Sequence, residues 1–424
     1  MGHDRAPPSS TLAQFFALNR TVAVVLVAVF CFGLGEELWS PFLPVYLKDL
    51  LKPLDGNAVQ TATRETLWLV GIYACLRNLF EGFCFLGGGH FTARLGDRGS
   101  LLLFGILTLT GYVLFLTFQS PIAVIGAALL ILGWEPLSVP VTFTTVGSTV
   151  TVERRGMAFA VQSIQKRLPK ILGPLVAGLV LGMAERWGGS PEAGRVGGMH
   201  WLVGAALALG VASIAIQLRW MPHREPPPPG PSLVEVWRQV PSVLRRLLIA
   251  EIFTRWCDWL IRELVVLYLV LERNVPLVET GFLLALQHTV ALLTYLPIGQ
   301  LTRKAGVGLF IGWTFVFFAL FPLALLWTPT SWIALAFVIY GLREVGEPAR
   351  KALITSQMPE AVRARGVGLY WGLRSFAFCT APLVGVVLWL KIRPEGLLYS
   401  AFALGCIGAA VFYLFCRPGA RIEK

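Results

Sequence analysis

The chain has 424 residues, 55% of them hydrophobic and only 14% charged, with a mean hydropathy of +0.67 and a formal charge of +12. An ordinary soluble domain keeps about a quarter of its residues charged, so this composition excludes one. The positive charge does not imply nucleic acid, because most basic residues stand in short links between long apolar runs.

Those runs are about 20 residues long, the length at which a helix crosses a bilayer. Twelve are expected, at 21–47, 67–89, 99–118, 121–147, 157–183, 199–221, 247–271, 278–301, 306–328, 331–357, 365–390 and 397–416. The fold class is therefore an all-α integral membrane protein. The first run is too long for a cleavable signal, and Ala6 stands where a myristoylation signal needs Ser or Thr. Residues 1–20 form an N-terminal segment and 417–424 a tail.

The links are basic on one side. Twenty of the 36 Lys and Arg lie in links on the side of the N-terminus, among them Arg94, Arg98, Arg154, Arg155, Arg303 and Lys304. Eight lie on the other side: Lys48, Lys52, Arg64, Arg186, Arg195, Arg273, Lys391 and Arg393. The positive-inside rule then puts both termini in the cytoplasm. The cell membrane, crossed by many spans, is the expected location.

Between spans 2 and 3 runs Gly89-His90-Phe91-Thr92-Ala93-Arg94-Leu95-Gly96-Asp97-Arg98, and a degenerate copy, Gly299-Gln300-Leu301-Thr302-Arg303-Lys304-Ala305-Gly306, lies 210 residues later. Further pairs keep order: Glu36 with Asp258, Gly71 with Gly281, Gly133 with Gly341, Pro140 with Pro348, and Arg154-Arg155-Gly156 with Arg363-Ala364-Arg365-Gly366. The chain reads as two related bundles of six helices, 21–221 and 247–416, which is a trace of a secondary transporter. The loop 222–246 divides them. Its run from Pro226 to Pro231 cannot be helical, and the amphipathic piece from Leu233 to Leu247 is expected on the membrane surface.

This layout resembles the major facilitator superfamily, whose link between spans 2 and 3 reads roughly G-x-L-A-D-R-x-G-R-R. Gly89, Arg94, Gly96 and Arg98 keep that pattern here, as do Gly299, Lys304 and Gly306 in the copy; Ala93 and Arg303 replace the acid, and Asp97 is its candidate substitute. The resemblance implies that these residues form an inner gate or conformational latch. Gly173-Pro174-Leu175-Val176-Ala177-Gly178 is similar to part of the family's antiporter motif, which leans the reading toward drug–proton antiporters. Leu129 stands where those antiporters carry arginine, and the sugar-porter signature is missing.

Charge placement adds an independent pattern. Spans 3, 6, 9 and 12 have no charged residue in their cores, whereas the other eight place Glu36, Arg77, Glu135, Lys170, Asp258, His288, Arg343 and Arg374 near their midpoints. An intramembrane charge is costly and points to a cavity or pathway. The resemblance implies the same partition, with spans 3, 6, 9 and 12 facing lipid.

Helical spacing groups these charges. Span 7 carries Glu251, Arg255, Asp258 and Arg262 on one stripe beside Trp259; span 10 carries Arg343, Glu347, Arg350 and Lys351, with Glu344 at the edge. Span 5 carries Gln162, Lys166 and Lys170, flanked by Arg167, and span 2 pairs Arg77 with Glu81. Structural ion pairs explain such residues as readily as a binding site does. The candidate cavity residues are Glu36, Arg77, Glu135, Lys166, Lys170, Asp258, Trp259, Arg262, His288, Arg343, Glu347 and Arg374. Glu36, Glu37, Glu135 and Asp258 are candidates for proton coupling. Trp39, Trp134, Trp259 and Trp371 could stack on a flat solute, or simply pack.

The seven cysteines lie in apolar spans without ligand spacing, so no metal and no cofactor is expected. No nucleophile motif or phosphate-binding loop occurs, which argues against an enzyme and against ATP-driven transport. The leading function is secondary transport of a small charged or polar organic solute by alternating access, with protons as coupling ion. Export is the first reading, import by symport the alternative, and a non-transporting receptor a third. An anion, a zwitterion or polar neutral molecule, and a cation all stay open as solute. The expected partners are that solute, protons and lipid, with the protein a monomer.

Overall fold

The computed structural model describes residues 20–51, 58–138, 152–187, 189–221, 231–359 and 362–416. The predicted positions Pro140 and Pro226 to Gly230 lie outside these residues. Arg154, Arg155 and Gly156 fall within a described helix, but the side chains of Arg154, Arg155 and Gln162 are outside the description.

Among the described residues the regular elements are helical. The chain begins with α1 (Arg20–Glu37), a short 3-10 turn (Ser40–Phe42) and α2 (Leu43–Leu50). Then follow α3 (Ala58–Thr117), α4 (Pro121–Leu132), α5 (Val152–Trp187) and α6 (Pro191–Trp220). The second part holds α7 (Leu233–Gln239), α8 (Ser242–Ile261), α9 (Leu264–Leu267), α10 (Leu277–Ala305) and α11 (Val307–Trp327). It ends with α12 (Ala334–Leu342), α13 (Glu347–Gln357), α14 (Arg363–Phe378) and α15 (Ala381–Val411).

Local chemistry sets several helix starts. Ser120 and Ser190 accept from the Ala123 and Ala193 amides at 3.3 Å, each ahead of a proline that needs no donor partner. Ser232 and Glu235 cap α7 reciprocally, which holds the Glu235 carboxyl below its ordinary value.

The repeated link is a backbone feature. α3 passes from span 2 into span 3 with no intervening loop, and Gly96 kinks it there with φ 68° and ψ 174°. Gly306, 210 residues on, has φ 85° and ψ 150° and opens α11. A β-carbon is strained there, so Gly96→Ala and Gly306→Ala should each lower stability by about 1–3 kcal/mol. Thermal unfolding in detergent measures this. Arg94 is exposed, Asp97 is buried, and Arg98 donates to the Leu218 carbonyl at 2.8 Å, tying the first link to the end of α6. Gly89, Gly299 and Lys304 lie in helices; nothing beyond the backbone is described at these three.

One expectation is corrected. The piece from Leu233 to Leu247 is not one surface helix: the chain turns at Val240–Pro241, because a proline cannot donate to the preceding turn. Val236, Val240 and Leu244 are buried in an apolar cluster with Phe310, Leu353 and Tyr370, so this segment packs on the second part of the protein. Spans 11 and 12 are joined by the short link expected at 391–396. They meet inside α15 at a sharp kink, Ile392–Arg393, just before Pro394.

Nine stretches among the described residues are long and apolar enough to cross a membrane. Spans 11 and 12 count there as one run, Arg365–Cys416, and the segments of spans 7 and 10 fall short because of their buried charges. The protein is thus a multi-pass membrane protein. Large exposed apolar side chains line spans 3, 6, 9 and 12, including Val113, Val211, Trp313 and Ile407. In the absence of charge such faces are stable only against lipid tails. Within the first group, up to α6, α1 packs on α5 and α6, and α3 on α4; within the second, from α8 onward, α8 and α11 pack on α15. Two seams join these groups: α5 on α10, and α3 on α14 and α15.

Candidate functional site

Spans 1, 4, 7 and 10 are each interrupted, and the interruptions carry charge. α1 stops at Glu37 because Pro41 has no amide to donate to the Glu37 carbonyl, and the chain continues in a 3-10 turn in which the Leu43 N–H donates to the Ser40 carbonyl. α4 stops before Gly133, and helix resumes over 134–138 with Glu135 at its start and Pro136 next. Span 10 breaks between Leu342 and Glu347, ahead of Pro348. In span 7 the break at Arg262–Glu263 has no proline, and Arg262 keeps its backbone bond to Asp258 at 2.9 Å, so the bend is slight. Broken helices at corresponding places in two halves are where transporters build binding sites.

The first group of charges surrounds open space. Glu36, Glu37, Glu135, Lys166 and Lys170 line a small, partly open pocket walled by Phe32 and Trp134. An adjoining small pocket is lined by Glu36, Arg77, Glu81 and Glu135. Lys166 meets Glu135 at 3.5 Å and Lys170 meets Glu37 at 3.6 Å. The basic stripe of span 5 thus finds its carboxylates on other helices. Both lysine pairs are long for charge-assisted bonds, which favour about 2.7–2.9 Å, so they leave room for a competing group.

The second group is dense. Asp258 pairs with Arg343, with Arg262 at 2.9 Å and with Arg255 at 4.0 Å. Glu251 pairs with Arg350 at 3.1 Å and Arg374 at 3.2 Å. Glu347 pairs with Arg350 and, at 3.5 Å, with Lys351. As the first residue of α13, Glu347 also gains from the helix dipole.

Two arginines join the groups across the seams. Arg77 reaches Glu36 at 3.7 Å and Glu263 at 3.1 Å. The expected pairing of Arg77 with Glu81 is replaced, because the long guanidinium arm reaches carboxylates on two other helices. Arg167 meets Glu344 at 2.8 Å, the Tyr295 hydroxyl at 2.6 Å and His288 Nδ1 at 3.2 Å. A guanidinium only donates, so His288 accepts at Nδ1 and is neutral with its proton on Nε2. Trp259 stacks on Phe378 at 5.4 Å and carries Arg262 at 4.6 Å and Arg77 at 5.8 Å over its ring.

Of the candidate residues, Glu36, Arg77, Glu135, Lys166 and Lys170 line the two cavities. Asp258, Trp259, Arg262, His288, Arg343, Glu347 and Arg374 line neither; they belong to the network and seams beside them. Trp39 is fully buried against Phe115, and Trp371 packs on Phe85. Sequence reasoning missed Glu263 and left Arg167 and Glu344 at the margins. Glu263 falls just outside the central window of span 7; its signal was adjacency to Arg262 in an otherwise apolar run.

A model of the Major Facilitator Superfamily matches residues 25–382. No curated protein matches the sequence. Among solved structures, the human organic anion transporter MFSD10 (TETRAN) superposes with a TM-score of 0.67 at 16% identity, covering 92% of this chain and 98% of that one. A D-xylose-proton symporter gives 0.68 at 14% identity, with 96% and 99% covered. A POT family transporter in complex with a thioalcohol-conjugated peptide gives 0.69 at 14% identity, with 93% and 95% covered. At these identities the structures attest the fold alone; the family match carries the assignment, and the chain belongs to the Major Facilitator Superfamily, whose members are transporters and not enzymes.

Proposed function

We propose that the protein is a secondary active transporter of a small charged organic solute, working by alternating access between helix bundles 21–221 and 247–416. The observation that carries this reading is the cluster of Glu36, Glu37, Glu135, Lys166 and Lys170 lining one partly open pocket beside a seam crossed by Arg77 and Arg167. The long Lys166–Glu135 and Lys170–Glu37 pairs are separable: either a proton or a cationic group of the solute can take the lysine's place at the carboxylate. Opening either side requires breaking Arg77–Glu263 or Arg167–Glu344, so the two cross-seam pairs act as gates. The proposed location is the cytoplasmic membrane, with both termini inside. Export in exchange for protons is the preferred direction, supported by the Gly173-Pro174 sequence in α5.

The test uses proteoliposomes loaded with a pH-sensitive dye and challenged with organic anions, cations, zwitterions and neutral sugars under an imposed pH gradient. Expected is solute-dependent proton movement opposite to the solute. Glu135→Gln should abolish proton movement while at least a third of solute counterflow remains, on the order of the factor of a few that one lost weak ion pair implies. Movement of both in the same direction would replace exchange by symport. Solute flux indifferent to the pH gradient would refute proton coupling.

A further inference from the structure

The seam where α3 meets α14 and α15 has a definite register. As α3 runs forward, its partners run backward. A β-carbon on Gly71 would lie 2.7 Å from Val386 and 3.6 Å from the Pro382 carbonyl oxygen, and one on Gly82 would lie 2.7 Å from Phe376. One on Gly372 would lie 3.1 Å from Leu86, and one on Gly368 would lie 3.0 Å from the Phe85 carbonyl oxygen. On α3 these contacts recur at whole helical turns and so share one face. Cys75 is on that face, one turn after Gly71. Opposite it, between Phe376 and Pro382, Cys379 stands at the break between α14 and α15. The two thiols are within hydrogen-bonding reach of each other, and both residues are half-buried.

The other seam is built alike without thiols. Gly281, the repeat partner of Gly71, meets Pro174 there. The residues in the places of Cys75 and Cys379 are Ala285 and Ile171. The packing common to both seams therefore does not require a cysteine pair. Cys257 lies near Cys406 as well, but those two belong to one bundle. Cys75 and Cys379 face each other from different bundles.

We propose that Cys75 and Cys379 are a redox modification site, joined as a disulfide by an organic hydroperoxide that arrives through the lipid. One sulfur attacks the peroxide O–O bond and becomes a sulfenic acid, its proton passing to the leaving oxygen, which departs as the alcohol. The second thiol then displaces the sulfenic oxygen as water. The two sulfurs together lose two electrons, and the hydroperoxide is reduced to alcohol and water. The approach is apolar: Ile72, one turn before Cys75, is 42% exposed, and Leu76 beside it 38%. Such side chains on a membrane helix face lipid tails. A disulfide holds its α-carbons about 4.4–6.8 Å apart, so the bond would fix α3 against the break between α14 and α15. On the transport reading above, that stops the two bundles from rocking.

The experiment starts from reduced protein in vesicles of saturated phosphatidylcholine, treated with cumene hydroperoxide and digested without reduction for mass spectrometry. Expected is a linked Cys75–Cys379 peptide that dithiothreitol removes. Counterflow of the solutes tested above should fall at least fivefold on oxidation and return with dithiothreitol. Cys75→Ser and Cys379→Ser alter half-buried positions, so both should fold, and each should keep its flux under the hydroperoxide.

Absence of the linked peptide, or linkage of either cysteine to another, overturns the site. A linked protein that transports as fast as the reduced one overturns the lock, as does equal inhibition of the two serine variants. No flux of any solute in the reduced protein refutes the transport reading, and the linked peptide alone then decides the site.

Discussion

Asp258→Asn is expected to destabilise the protein by about 3–5 kcal/mol, the cost of breaking a buried ion pair by removing one partner. Asp258 is 2% exposed and sits among Arg255, Arg262 and Arg343. Arg343 is itself buried, so it has no water to turn to once the carboxylate is gone. The measurement is the thermal midpoint in detergent, with the double variant Asp258→Asn/Arg343→Gln beside it. If the network is structural glue, the double variant recovers part of the loss. A single variant as stable as the parent would mean that Asp258 is protonated or solvated in the folded protein, contrary to its burial among three arginines.

The second large effect is expected at Gly281. A β-carbon there would run into the Pro174 carbonyl oxygen and lie 3.1 Å from the Gly178 α-carbon; one on Gly178 would lie 2.7 Å from the Leu277 carbonyl oxygen. The backbones of α5 and α10 are in direct contact at this crossing, as small residues allow in membrane helices. Gly281→Leu must separate the two helices, so its cost should reach or exceed the usual 1–3 kcal/mol of overpacking. It should also wedge the seam and suppress transport in the fraction that still folds. Gly126 is the control: nothing stands within 4 Å of its added β-carbon, and Gly126→Leu should leave the thermal midpoint unchanged. Equal behaviour of the two variants would mean that the crossing does not depend on backbone contact.

Much of this was readable beforehand because it depends on composition and local chemistry. The bilayer-length runs, the 210-residue repeat and the charge-free cores of spans 3, 6, 9 and 12 are properties of one chain read in order. Gly96 and Gly306 could be paired as a repeated motif because backbone conformations with positive φ favour the same residue wherever they occur. The helix breaks near Glu36, Glu135 and Arg343 were foreshadowed by Pro41, Pro136 and Pro348, since a missing amide acts within one turn.

Pairing lay beyond that reach. Helical spacing put Arg77 near Glu81, yet Arg77 extends to Glu36 and Glu263; the i,i+4 rule ranks neighbours only within one helix, and it does not see the helix opposite. Arg167 and Glu344 are 177 positions apart, and no local signal joins them. The same limit applies to the segment from Leu233, whose Val236, Val240 and Leu244 pack against Phe310 and Tyr370 far along the chain. By itself the sequence determined that the chain enters a membrane, carries a link motif twice and places an ionisable residue near the midpoint of eight of its twelve expected spans. Only the tertiary structure decided which charges compensate one another and which face a cavity, because those outcomes depend on distances between helices far apart along the chain.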